Sequence, residues 1–246
     1  MRAAQLAAVL AVLPGLAFAE TVRAYGPGGP LPAMKEAAVA FNAAHPGTTV
    51  EVTAGPTQTW IEKAKADADV VFSGSETMMT DFQAAMGDRI DRVAVRPLYL
   101  RAAAILVRPG NPKNIKGIAD LLQPGHRVLV VNGAGQQGLW EDVAGRTGRI
   151  EDVRAFRANI AGFAPNSAAA HDAWTRDPTL DAWLIWTIWQ VANPALADQV
   201  AVEPERAVFR DAGVALTKAG GAKSEARAFA AFLEGPEGRR IFARWG

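Results

Sequence analysis

The chain has 246 residues, half of them apolar, and sets 26 Lys and Arg against 25 Asp and Glu. That balance gives no electrostatic reason to expect nucleic acid or an anionic membrane surface as partner. Cysteine is absent, which excludes a disulfide scaffold, thiolate metal sites and a cysteine nucleophile.

The opening MRAAQLAAVLAVLPGLAFAET has a single early cation, Arg2, then an apolar stretch over 7–16 interrupted by Pro14-Gly15. Ala17-Phe18-Ala19 is the small-x-small pattern that a signal peptidase accepts, so residues 1–19 are predicted to be a cleaved export signal. The apolar run is short for a bilayer span and has no polar face for a globular helix. Its loss removes Arg2 and leaves a neutral, cysteine-free chain in the periplasm, held together by its core alone.

Residues 21–25 form a strand candidate closed by Gly26-Pro27-Gly28-Gly29-Pro30. Met34, Ala37, Ala38 and Phe41 then recur at helical spacing, and residues 48–53 alternate as a second strand. Gly55-Pro56-Thr57 begins another helix with Trp60, Ile61 and Ala64 on one face. Residues 69–72 are a buried strand stopped by Ser73-Gly74-Ser75, before a helix over 77–86. Strand, glycine-rich turn and helix in repetition predict a parallel α/β sheet.

Between 93 and 108 this alternation gives way to one long extended stretch, read as a crossing into a second lobe. Strands are predicted over 128–131, 160–163 and 181–185, with helices over 136–146 and 166–176. Extended residues at 200–202 and 213–217 predict a return crossing, and 224–245 two helices split by Gly235-Pro236. The expected organisation is residues 20–98 with 205–246 as one lobe, residues 99–204 as the other, and a cleft between.

Five loops end at this cleft: residues 26–30, 55–59, 73–75, 133–137 and 166–167. Each pairs a strand end with a helix start, where free N–H groups and a positive dipole end suit an anion. Gly28, Gly29, Thr57, Gln58, Thr59, Ser73, Gly74 and Ser75 are the candidates on one side. Gly133, Gly135, Gln136, Gln137, Asn166 and Ser167 are those on the other. Thr57, Ser75 and Asn166 are also good helix caps, so each loop taken singly has a purely structural explanation.

One of these loops carries a competing motif. Gly133, Gly135 and Gly138 in RVLVVNGAGQQGLW match the dinucleotide fingerprint G-x-G-x-x-G, with a strand before and a helix after. That fingerprint needs an acid at the end of the next strand, about 20 residues on. Glu151 and Asp152 instead begin the polar helical run EDVRAFRANI. Neither NAD nor NADP is expected to bind.

Catalytic groupings are weak. His45, His126 and His171 have no metal-ligand spacing, and Ser73-Gly74-Ser75 lacks the nucleophile-elbow pattern and an evident base. Most tryptophans read as core, but Trp186 lies just past the strand in DAWLIWTIWQVAN and is a candidate pocket wall.

The phrases YGPGGPLPAMKEAA, AGPTQTWIEKAKADADVVFSGSETMMTDF, LVRPGNPKNIKG, VLVVNGAGQQGLWED, DAWLIWTIWQVANP and GVALTK resemble the accessory colonisation factor C-like proteins. These belong to the periplasmic solute-binding superfamily, near the molybdate and sulfate binders. The resemblance implies a type II periplasmic binding fold: two α/β lobes, two crossover strands and a ligand cleft. It also implies capture of a small anion, an oxyanion or a small organic acid, for the permease of an ABC-type transporter. The expectation is a monomeric, non-enzymatic binder without metal or organic cofactor. An exported enzyme using Ser73 or Asp81, or a module presenting ligand to a chemotaxis or adhesion partner, are the alternatives.

Overall fold

The computed structural model describes residues 20–246, so the expected signal peptide lies outside the described residues. Nine strands run β1 Glu20–Gly26, β2 Thr48–Ala54, β3 Val70–Phe72, β4 Arg96–Val107, β5 Val128–Val131, β6 Ile160–Ala164, β7 Ala182–Trp186, β8 Asp198–Ala201 and β9 Phe209–Leu216. Their spatial order is β2-β1-β3-β9-β4-β7-β5-β6, with β8 beside β4.

Strands β3, β5 and β7 are apolar and buried at every residue, as strands covered by helices on both faces must be. Edge strand β2 keeps Glu51 and Thr53 exposed. The parallel groups β2-β1-β3 and β7-β5-β6 match the βα alternation of the sequence. Between them β4 and β9 pair antiparallel, so the two lobes share one continuous mixed sheet, where the sequence pattern suggested two separate parallel ones. The return crossing is β9 alone. The extended residues near 200 belong to β8, which stays with the second lobe through its pairing to β4.

Three apolar clusters respect this division. Val22, Met34, Phe41, Phe72 and Phe229 form one, and Tyr25, Trp60, Met79 and Phe82 a second. Both lie on the β1 side. The third, around Val130, Phe156, Trp174, Trp183 and Ile185, fills the other lobe. The last two helices, Ser224–Glu234 and Pro236–Arg244, return to the first cluster through Phe229, Leu233, Ile241 and Phe242.

The second lobe's first long helix starts later than its apolar pattern suggested, at Leu139. Residues 133–138 are a turn instead, with Ala134, Gly135 and Gly138 all at positive φ.

Candidate binding site

A cavity of about 420 Å³ lies between the lobes, lined from both sides and from crossover strand β4. The first-lobe wall contains Gly28, Gly29, Thr57, Gln58 and Gly74. Gln136, Asn166, Ser167 and Trp186 stand opposite. Gln136 Nε2 donates to Ser167 Oγ at 2.8 Å, and Asn166 caps its helix by accepting from Ala169 N at 2.9 Å.

Six other candidate residues do not line the cavity, and each has a local reason. Thr59 donates its hydroxyl to Pro56 O at 2.7 Å. Ser73 is buried and accepts from Gly213 N at 3.2 Å, which ties β3 to crossover strand β9. Ser75 accepts from Met78 N at 3.2 Å as the cap of helix Glu76–Met86, and donates to Gly135 O. Gly133 faces Pro165 O, Gly135 faces Ser75, and Gln137 points to solvent. The hydroxyls expected to meet the ligand are largely spent inside the protein.

The decisive residue is one the sequence reading passed over. Arg101 lies in the middle of β4, 2 % exposed, and is the one cationic side chain lining the cavity among the described residues. Its guanidinium lies over the Trp186 ring, 4.5 Å from the centroid. The register of β4 and β7 produces this contact, because Trp186 opposes Ala103, two residues along. Gly74 makes room for the group: a Cβ there would stand 3.1 Å from Arg101 Nη2.

Among the described residues Arg101 makes no salt bridge. Nε of Arg101 has no hydrogen-bond partner among the described residues. Burial pulls the guanidinium down to about 10, and the fields of Tyr99 and Asp211 oppose this only in part. Asp211 uses Oδ1 to accept from Glu76 N at 2.9 Å. A buried cation without a partner is costly, and such groups belong to sites that complete them with a ligand.

Trp189, half-buried on the same wall, adds an indole N–H without a hydrogen-bond partner, 4.0 Å from where a Gly29 Cβ would stand. Pro27, Pro30, Met78, Phe82 and Ala134 supply apolar surface, and Asp81 is the one acid on the wall. The cavity is thus a mostly apolar box with one strong cationic pole. A signal for Arg101 existed in the sequence: a lone arginine inside LYLRAAAILV, in a strand otherwise apolar enough to be buried.

Among the described residues no group of three or more His, Cys, Asp or Glu could hold a metal ion.

Comparison with known proteins agrees with this architecture. PEB3 from Campylobacter jejuni, in a crystal structure with bound L-phospholactate, is 38 % identical and superimposes with a TM-score of 0.86, covering 92 % of this chain and 98 % of that one. The sulfate-binding protein SubI from Mycobacterium tuberculosis is 19 % identical, with a TM-score of 0.74 over 92 % of this chain and 86 % of its own. The periplasmic molybdate-binding protein of Azotobacter vinelandii is 15 % identical, with a TM-score of 0.67 over 92 % and 97 %. At these lower identities the likeness is one of fold, the type II periplasmic binding fold. No curated protein matches the sequence. Residues 22–246 match the family described as bacterial extracellular solute-binding protein, and the chain belongs to that family.

Proposed function

We propose that the protein captures a small organic anion in the interlobe cavity and hands it to the permease of an ABC-type transporter. The observation that carries this reading is Arg101, a buried guanidinium lining the cavity whose Nε has no hydrogen-bond partner among the described residues. An anionic group seated there would accept from Arg101, from the Trp189 indole and from the N–H groups where helix Leu31–Ala44 begins beside Gly28 and Gly29. Thr57, Gln58, Gln136, Asn166 and Ser167 are the remaining polar contacts, with Trp186 as the platform beneath the guanidinium.

Size and polarity favour an organic body over a bare oxyanion. About 420 Å³ falls within the roughly 300–1,000 Å³ typical of small-molecule pockets. The apolar walls would gain nothing from sulfate or molybdate. The L-phospholactate bound to PEB3, at 38 % identity, supports an acid of this kind.

Residues 1–19 serve, in this reading, as the export signal, and the protein works in the periplasm as a monomer, without nucleic acid, metal or cofactor. The proposed lobes are residues 20–98 with 205–246, and residues 99–204. Catalysis at Ser73 has no structural support, since its hydroxyl is buried and bonded to Gly213 outside the cavity wall.

Calorimetry with L-phospholactate, lactate, sulfate, molybdate and NAD tests this reading. Micromolar or tighter binding of an organic acid, weak or absent binding of sulfate and molybdate, and no binding of NAD are expected. Tight binding of sulfate with none of the organic acids would overturn the organic-anion assignment.

A further inference from the structure

The glycine-rich turn after β5 looks like a nucleotide loop and does not line the cavity as one. Gln136 N is spent inside the turn, donating to Gly133 O at 3.0 Å, and Leu139 N at the start of the next helix donates to Gln136 O at 3.1 Å. Of the three motif glycines, Gly133 backs onto Pro165 and Gly138 opens the following helix. Gly135 faces across the cleft. A Cβ on it would run into Ser75 Oγ and stand 3.0 Å from Met78 Cβ, both in the first lobe.

The contact is attractive as well as close. Ser75 Oγ donates to Gly135 O at 3.2 Å, and both residues are buried. Ala134, in the left-handed region at φ 47, packs against the first-lobe cluster that includes Tyr25, Trp60 and Phe82. A non-glycine residue at positive φ is uncommon, and here its side chain is delivered to the opposite lobe.

We infer that Ala134-Gly135 is an interlobe latch: a knob of the second lobe that docks on Ser75 and Met78 and holds the cleft shut around its solute. Gly135 is required because only a residue without a side chain lets the turn come this close to Ser75 Oγ and Met78 Cβ. The latch consists of protein–protein contacts alone, so it does not rest on the anion reading and acts with or without solute. Its consequence for function is retention: an occupied cleft empties only when this contact has broken.

The chain has no cysteine, so labels can be placed at will. Val39→Cys on the first lobe and Ile150→Cys on the second replace exposed residues, 70 % and 53 % accessible. Distances between spin labels at these sites, without solute, report closure directly. Gly135→Ala should move the distribution to a more open separation. Gly138→Ala is the control: it shares a positive φ, +75, but its Cβ meets only Glu141 Oε2 at 3.7 Å, so it should match the parent. Ala134→Gly relieves backbone strain, keeps the fold and removes the docked methyl, so it should open a smaller fraction. With L-phospholactate as probe, Gly135→Ala should release it about tenfold faster, the equivalent of one hydrogen bond with its packing. If Gly135→Ala and Ala134→Gly both superimpose on the parent, or Gly138→Ala opens the cleft as far, the latch is overturned. The label measurement needs no solute, so failure of the anion reading leaves it intact.

Discussion

Among the described residues two arginines are buried, Arg101 and Arg206, and they are buried in opposite ways. Arg206, 8 % exposed, packs against the helices of the second lobe with its charge answered. Its Nη2 meets Asp152 Oδ2 at 2.5 Å and its Nη1 donates to Ala144 O at 2.7 Å. Asp152 in turn accepts from Thr147 Oγ1 at 3.1 Å. Arg101, 2 % exposed, has an aromatic face beneath it and an Nε without a hydrogen-bond partner among the described residues. Burying a guanidinium costs several kcal/mol in either place. In one place the protein itself supplies the compensation, and in the other the proposed function leaves it to a solute. The same side chain is a strut in one region and, in the proposed function, a binding pole in the other.

The largest expected effect separates the two roles. Arg101→Met removes the anion's main donors while keeping an apolar side chain of similar length above Trp186. Hydrogen bonds to a charged group contribute about 1.5–3 kcal/mol each, so losing two should weaken L-phospholactate binding by roughly a hundredfold or more. Thermal stability should hold or rise, because an uncompensated buried charge has gone. The pH profile sharpens the point. With the guanidinium held down to about 10, binding should be level across neutral pH and fall as pH passes 10 and the proton leaves. A binding profile in Arg101→Met that still falls through pH 10 would assign the titration to another group.

Asp152→Ala should show the reverse pattern. It strands the Arg206 guanidinium, and breaking a buried pair from one side costs about 3–5 kcal/mol, read as a lower denaturant midpoint. Probe affinity measured well below that midpoint should be unchanged. The Arg206 hydrogen bond holds the Asp152 carboxyl below its ordinary value. The pair's contribution is therefore complete above the unfolded carboxyl pKa, about 3.9, and is lost as pH falls through the lower folded value. Wild type should lose stability on acidification below pH 4 more steeply than Asp152→Asn. Parallel acid curves would show that the pair is not the source.

The contrast also explains which parts of the molecule were legible in the sequence. The βα alternation, the crossing at 93–108 and the return of the tail follow from local apolar periods and glycine turns, and these are what the sheet realises. The cleft-side loops were legible too, since a strand end followed by a helix start occupies the same edge of a parallel sheet. Two things were not. Whether a hydroxyl at such an edge faces the cleft or the wall depends on what packs behind it, as Gly213 does behind Ser73. And Arg101 sits in a segment read as a connector, where nothing local shows that the strand next to it ends in Trp186. The candidate residues drawn from those loops therefore did not include Arg101.

The smallest effects test that same boundary between wall and cleft. Thr57 lines the cavity and Ser73 does not, although both were candidates from chain position alone. Ser73→Ala leaves the buried Gly213 N–H without its acceptor, which costs about 1–3 kcal/mol of stability. It should leave probe affinity within twofold of wild type, since no atom facing the solute has changed. Thr57→Ala removes a hydroxyl from the partly exposed rim, where the backbone turn beneath it survives. Its melting point should barely move, and its affinity should fall by up to about tenfold if the hydroxyl donates to the anion. The two substitutions delete the same functional group from the same lobe, so the pair is its own control. A loss of affinity in Ser73→Ala with none in Thr57→Ala would move the solute off the cavity wall assigned to it and toward the β3–β9 junction.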